Sequence, residues 1–199
     1  MKALPELITQ RLFLSAFSRS DIPDIFSYAS NPDVARFTSW AAHNSTNETE
    51  AWLHFVSEHE SSEPSRTRHC WAIRLQDRPK AIGAIEFSQT TSDQARIDYV
   101  LTQEHWNQGL MTEAAASIVN WAFQTMPDLQ RVDSSGLTEN IGSIRVMQKC
   151  GMKLQKKELQ RFVKFGNEEH ELSHYGITRS EWEESANQAG PSNHHQPIL

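Results

Sequence analysis

The 199-residue chain is predicted to fold as a single α/β (α+β) domain, with helices flanking a mixed, mostly antiparallel central sheet. Three observations predict it. Apolar stretches at 71–75, 81–87 and 96–101 are separated by short polar turns, the pattern of an antiparallel meander. Residues 97–149 then read strand, helix, strand, helix, a crossover unit that sets its two strands parallel and adjacent. Segments 159–165 and 170–177, joined around Gly166-Asn167, have the form of a long hairpin.

Leu12 and Leu14 alternate with Phe13 and Ser15 in a short opening strand. Asp21, with Pro23 in the first turn, starts a helix carrying Ile22, Ile25, Phe26 and Ala29, and Asn31-Pro32 ends it. Residues 37–44 read as a loop. Asn47, three residues before Glu50, reads as the cap of a second helix whose Trp52, Leu53 and Val56 recur at three- and four-residue spacing. The polar run 57–69 leads into the meander. After it, Ala114, Ala115, Ile118, Val119 and Ala122 form the broad apolar stripe of a helix that Met126-Pro127-Asp128 closes before a strand at 131–137. A short helix at 140–149 places Ile144 and Met147 on one side and stops at Gly151. The domain is expected to span 1–183. Residues 184–199, poor in apolar side chains and containing Gly190-Pro191, are expected to form a disordered tail whose His194-His195 is no metal site.

Cys70 and Cys150 have no metal-ligand spacing, and no metal is expected. No apolar run approaches a membrane span or secretory segment, so a reduced, soluble, cytoplasmic protein without a membrane partner is expected. The net charge of −6 argues against a nucleic-acid partner. It suits a cationic substrate, or simply keeps the protein soluble.

The most informative segment is Asn107-Gln108-Gly109-Leu110-Met111-Thr112, a glycine-bearing turn running from the strand at 97–101 into a helix. Backbone N–H groups at a helix start have no intrahelical acceptor and, with the helix dipole, cradle phosphate. A pyrophosphate-bearing cofactor is the first expectation, although one glycine after a strand also serves a turn alone. The G-x-G-x-x-G spacing of a dinucleotide-binding fold is absent.

That segment is followed by Glu139-Asn140-Ile141-Gly142-Ser143-Ile144-Arg145-Val146-Met147-Gln148-Lys149-Cys150-Gly151. Together they resemble the GNAT acetyltransferase superfamily, in its branch of ribosomal-protein N-terminal (alanine/serine) acetyltransferases. The likeness extends from Gln10-Arg11-Leu12-Phe13-Leu14 through Asn31-Pro32-Asp33-Val34 and Ala51-Trp52-Leu53 to Tyr175-Gly176-Ile177-Thr178. Two residues depart from the wider pattern: Met111 stands where Gly or Ala is usual, and Trp106 where Arg or Gln often opens the loop. Neither removes a backbone N–H.

The resemblance implies a sheet of about seven strands whose parallel pair splays apart. Acetyl-CoA would fill the gap as a cosubstrate, its pantetheine arm pairing with main chain at Val100 and Leu101 and its phosphates meeting Gln108, Gly109, Leu110, Met111 and Thr112. Asn140 would order the strand–helix junction and reach the pantetheine. Ser143 would protonate the leaving sulfur, or else merely cap its helix. Arg145 and Lys149, one turn apart, would meet the nucleotide phosphates or remain solvated. Tyr28, Phe37, Trp40 and Trp71 are candidates for the acceptor pocket, or for the core.

Attack of an amine on a thioester calls for a base, an oxyanion donor and an acid. Asp98, Glu86 and Glu171 are three candidates for the base, each also readable as a surface or salt-bridged carboxylate. Glu113 reads as turned away and structural, since it would repel a pyrophosphate. The resemblance favours a protein N-terminal amine as acceptor, for instance that of a ribosomal protein. A polyamine, amino acid or aminoglycoside acceptor, and a non-catalytic acetyl-CoA-binding module, are the alternatives. Either a monomer or a homodimer fits.

Overall fold

The computed structural model describes residues 4–59 and 67–188. Eight strands form one sheet: β1 (Leu7–Ile8), β2 (Leu12–Ser15), β3 (Arg68–Leu75), β4 (Ala81–Gln89), β5 (Gln94–Leu101), β6 (Arg131–Leu137), β7 (Lys153–Arg161) and β8 (Glu169–Thr178). Their spatial order is β1-β2-β3-β4-β5-β6-β8-β7, antiparallel throughout except for the β5–β6 pair. The helices are α1 (Ile22–Ala29), α2 (Pro32–Ala35), α3 (Thr46–His59), α4 (Leu110–Thr125), α5 (Ile141–Lys149) and α6 (Arg179–Gln188).

Strand β3 is buried on both faces, and its alternation divides the core. Trp71 and Ile73 join Leu12, Leu14, Ile85, Phe87 and Ile97 against the stripe Leu110, Ala114, Ala115, Ile118, Val119 and Ala122 of α4. Cys70 and Ala84 face the other way, toward Val56 of α3, beside Ile25, Tyr28 and Ala29 of α1 packed on Leu53. Each fully buried large apolar side chain contributes about 1.5–3 kcal/mol. The lower half of α1 is anchored electrostatically. Arg74 on β3 makes a two-pronged pair with Asp21, 2.8 Å at each oxygen, and also donates to Ser15 Oγ. Burial by itself would raise the Asp21 pKa, but the Arg74 and Ser18 hydrogen bonds outweigh it and hold the carboxyl below its usual value.

Several boundaries differ from expectation. Asn47 lies inside α3, which starts at Thr46; Glu48 accepts the Asn44 N–H, and Glu50 pairs with Arg19. The first arm of the long hairpin runs Lys153–Arg161, not 159–165, and a single 3-10 turn, Val163–Phe165, follows it. This is the sheet's outer edge, where every side chain is exposed, so burial imposes no alternation for the sequence to display. Residues 184–188, expected in a disordered tail, belong to α6. Its start is a capping box: Glu181 accepts from the Thr178 N–H and hydroxyl at 2.9 Å, and Thr178 Oγ1 receives the Glu181 N–H. Trp182 then packs on Phe123 and donates to Asn120. Residues 189–199, with His194 and His195, lie outside the described residues, as do 60–66 of the expected connection.

Candidate active site

The decisive feature is where one ladder stops. Strands β5 and β6 pair only from Gln94↔Arg131 to Arg96↔Asp133, then separate. Beyond that point Thr102 N–H still bonds Ile82 O on the β4 side, so strand alternation turns the amides of Tyr99 and Leu101 toward the departed β6. A cleft of about 1240 Å³ passes through this split. On the α4–α5 side Met111, Thr112 and Asn140 line it; on the opposite side Phe37, Trp40, Trp52, Glu86 and Asp98 do.

At the α4 end the chain turns through two left-handed residues, Asn107 at φ 59° and Gly109 at φ 76°. Asn tolerates this conformation better than other side chains, and Gly adopts it at no steric cost. The amides of Leu110, Met111 and Thr112 precede the first helical bond, Glu113 N–H to Gly109 O. Arg11, unforeseen from the sequence, stabilises this bend: it donates to Gln108 O at 2.9 Å and to Glu113 Oε2 at 2.7 Å. Glu113 also accepts from Thr9 Oγ1 and Arg11 N. Burial would raise its pKa, but these bonds prevail and keep it ionised and turned from the cleft. Gln108 is therefore held by its carbonyl, while its side chain bonds Glu104 O and does not line the cleft. Arg145 and Lys149 do line it, exposed and without an ion pair among the described residues.

Asn140 Oδ1 accepts the Ser143 N–H at 3.1 Å, so Asn140 caps α5 and the Ser143 hydroxyl is left for another partner. That partner is Tyr99, whose hydroxyl lies 3.0 Å from Ser143 Oγ and 3.2 Å from Ser143 O. Burial pushes the Tyr99 pKa well up, keeping it a proton-bearing donor. Gly136 on β6 permits this approach, since a Cβ there would sit 3.3 Å from Ser143 Oγ. Burial likewise pushes the Cys150 thiol up to about 12, and Cys150 serves as packing. Val100 and Leu101 both line the cleft, and Trp106 Nε1 donates to Leu101 O at 2.8 Å, capping the strand end.

The acceptor-side candidates fare unequally. Phe37 and Trp40 line the cleft. Trp71 does not: it is fully buried on the α4 face, between His69 and Trp121, with its indole N–H on Pro5 O. Tyr28 does not either, being buried between α1 and α3. In both cases burying a large ring outweighed exposing it, a choice that composition does not reveal. Glu171 points off the outer surface to Lys157, away from the cleft, so it is removed from the candidate bases. Glu86 and Asp98 reach the cleft, but Arg68 holds Glu86 at 2.8 and 3.1 Å and Arg96 holds Asp98 at 2.7 Å on both oxygens. Glu158 on β7 and His174 on β8 also line it, and neither was foreseen.

A family model described as an acetyltransferase (GNAT) domain matches residues 11–153. The chain belongs to the GNAT acetyltransferase family. As a GNAT protein it is an N-acetyltransferase that uses acetyl-CoA. It is 27% identical over 177 residues to the uncharacterized N-acetyltransferase YnaD of Bacillus subtilis (strain 168), covering 88% of this chain and 98% of YnaD. Among solved structures it resembles the spermidine N-acetyltransferase of Vibrio cholerae, in complex with CoA and spermine, at a TM-score of 0.71 and 16% identity over 87% of this chain and 99% of that one. It also resembles RimL, a ribosomal L7/L12 alpha-N-protein acetyltransferase in complex with coenzyme A, at a TM-score of 0.71 and 16% identity over 86% and 96% of the two chains. At such identities the two structures attest the GNAT fold alone. Among the described residues no group of three or more His, Cys, Asp or Glu is placed to hold a metal, and no helix is long and apolar enough to cross a membrane.

Proposed function

We propose that this GNAT protein acetylates the N-terminal amine of a protein, such as a ribosomal protein, by direct attack. The observation that carries the choice is the neutralised acceptor side. Glu86 is taken by Arg68, Asp98 by Arg96 and Glu158 by Lys156 at 2.7 Å, so no carboxylate there lacks a cation. A polyamine needs free carboxylates for its several charges and would have to displace these pairs. A peptide N-terminus brings one charge on an otherwise uncharged stem, which suits the aromatic walls Phe37, Trp40, Trp52, Phe162 and Phe165.

Acetyl-CoA supplies the activated acetyl thioester. The Leu110–Thr112 amides would hold its pyrophosphate, Arg145 and Lys149 its nucleotide phosphates, and the free main chain of β5 its pantetheine. Tyr99 and Ser143 offer hydroxyl donors beside the split. The Leu101 N–H faces the same gap as a candidate oxyanion donor.

The test begins with a thermal shift on adding acetyl-CoA. Thiol release is then followed against peptides beginning with Ala or Ser, and against spermidine, free amino acids and an aminoglycoside. Release with the peptides above all others is expected. Turnover confined to spermidine would transfer the assignment to a small-molecule amine, and stabilisation with no release across the panel would indicate a binding module.

A further inference from the structure

Resting on the acetyl-transfer reading above, we propose that His174 is the general base, positioned by Glu158. His174 is the cross-strand partner of Ser135, in the part of β6 that has parted from β5, and both residues line the cleft with Tyr99 and Leu101. Its Nε2 lies 2.9 Å from Glu158 Oε1, near enough for an ion pair though not aligned as a hydrogen bond. Catalytic hydrogen bonds often tighten only when substrate binds. The two Glu158 oxygens are divided, Oε1 to His174 and Oε2 to Lys156. Nε2 is buried against the Glu158 carboxylate, which favours the proton on that nitrogen and leaves Nδ1, which makes no hydrogen bond among the described residues, as the basic nitrogen.

Every other carboxylate in the cleft is engaged differently. Glu86 and Asp98 each have both oxygens occupied by one guanidinium, leaving little to accept a proton. The charged groups facing His174 come in opposite pairs: Arg96 with Asp98 from β5, Arg131 with Asp133 from β6, and Lys156 with Glu158 from β7. Of these groups Glu158 forms the ion pair with the ring, at 2.9 Å.

In the reaction His174 Nδ1 takes one proton from the acceptor ammonium and passes it to solvent. The freed lone pair forms the C–N bond to the acetyl carbon and the C–S bond breaks with its electrons on sulfur. The second proton lost by nitrogen ends on the coenzyme thiol, so charge and atoms balance without any further reactant.

The test follows thiol release with acetyl-CoA and peptides beginning with Ala or Ser between pH 5.5 and 9.5, in the full chain. The wild-type kcat/KM profile should contain an enzyme ionisation besides that of the peptide amine, which falls at about pH 7.7–8. His174→Gln should lower kcat/KM about 100-fold near pH 7, remove the enzyme limb while keeping the amine's, and leave acetyl-CoA affinity unchanged. Glu158→Gln should cost about tenfold and retain the enzyme limb, because the base remains and only its positioning contact is weakened. A wild-type rate and profile in His174→Gln overturns the assignment. NMR of the His174 ring nitrogens gives an independent reading: the proton should sit on Nε2 in the wild type and redistribute between the two nitrogens in Glu158→Gln, and an unchanged tautomer overturns the pairing. Should the wild type bind acetyl-CoA yet release no thiol with either peptide, the acceptor assignment fails, and the ring tautomer alone decides for or against the pair.

Discussion

Gly109 carries the sharpest prediction, because two separable effects meet there. Its φ of 76° is left-handed, and an L-residue adopts that conformation at a cost of about 1–2 kcal/mol. Space is not the obstacle: a Cβ would find only Arg11 Nη2, at an ordinary 3.5 Å. Gly109→Ala should therefore fold and lose about 1–2 kcal/mol, or roughly 2–8 °C in Tm for a chain of this size. Gly109→Asn should lose less, as Asn107 two residues earlier already holds φ 59°. Coenzyme A affinity should follow the same strain. A residue that resists the left-handed bend misaligns the amides of Leu110 and Met111, so Gly109→Ala should weaken coenzyme A by tenfold or more, Gly109→Asn by less and Gly109→Val most of all. Differential scanning fluorimetry without ligand measures the first effect and isothermal titration calorimetry with coenzyme A the second. A folded Gly109→Ala that binds coenzyme A as tightly as the wild type would refute the phosphate cradle.

Ser143→Ala should reduce turnover by at least tenfold with little change in acetyl-CoA affinity or Tm, because Asn140, not Ser143, caps α5; a stability loss of about 1 kcal/mol with normal turnover would assign Ser143 a structural role. Tyr99→Phe, which removes its hydroxyl partner, should give a similar kinetic loss. Asp21, held below its usual pKa by Arg74, contributes stability present above its unfolded value and lost as pH falls through the folded one. Chemical denaturation should accordingly show stability declining below about pH 4, and Asp21→Asn should flatten that acid limb while costing about 3–5 kcal/mol at neutral pH by leaving Arg74 buried and unpaired.

The sequence was legible where local physics decides. Gly109 ahead of an apolar stripe announced a strand-to-helix turn, and Asn140 three residues before Ser143 announced a helix cap. The meander of β3, β4 and β5 was visible in turn residues that need no tertiary partner to act. The short capping pattern Thr178-x-x-Glu181 is equally local, but the polar stretch that follows it masks the helix it starts. Edge strand β7 carried no comparable signal, because nothing covers it.

Pairings across long sequence separations were decided only in the folded chain. Arg11 reaches the Gly109 turn from the other end of the sequence, and Tyr99 meets Ser143 across the split. Trp71 and Tyr28 went to the core while Trp40, of the same chemical kind, went to the cleft. A residue's type sets what it can bond and how much it gains from burial. Which face of which strand it occupies, and hence whether His174 or Glu171 reaches the cleft, depends on register and on the point where β5 and β6 stop pairing.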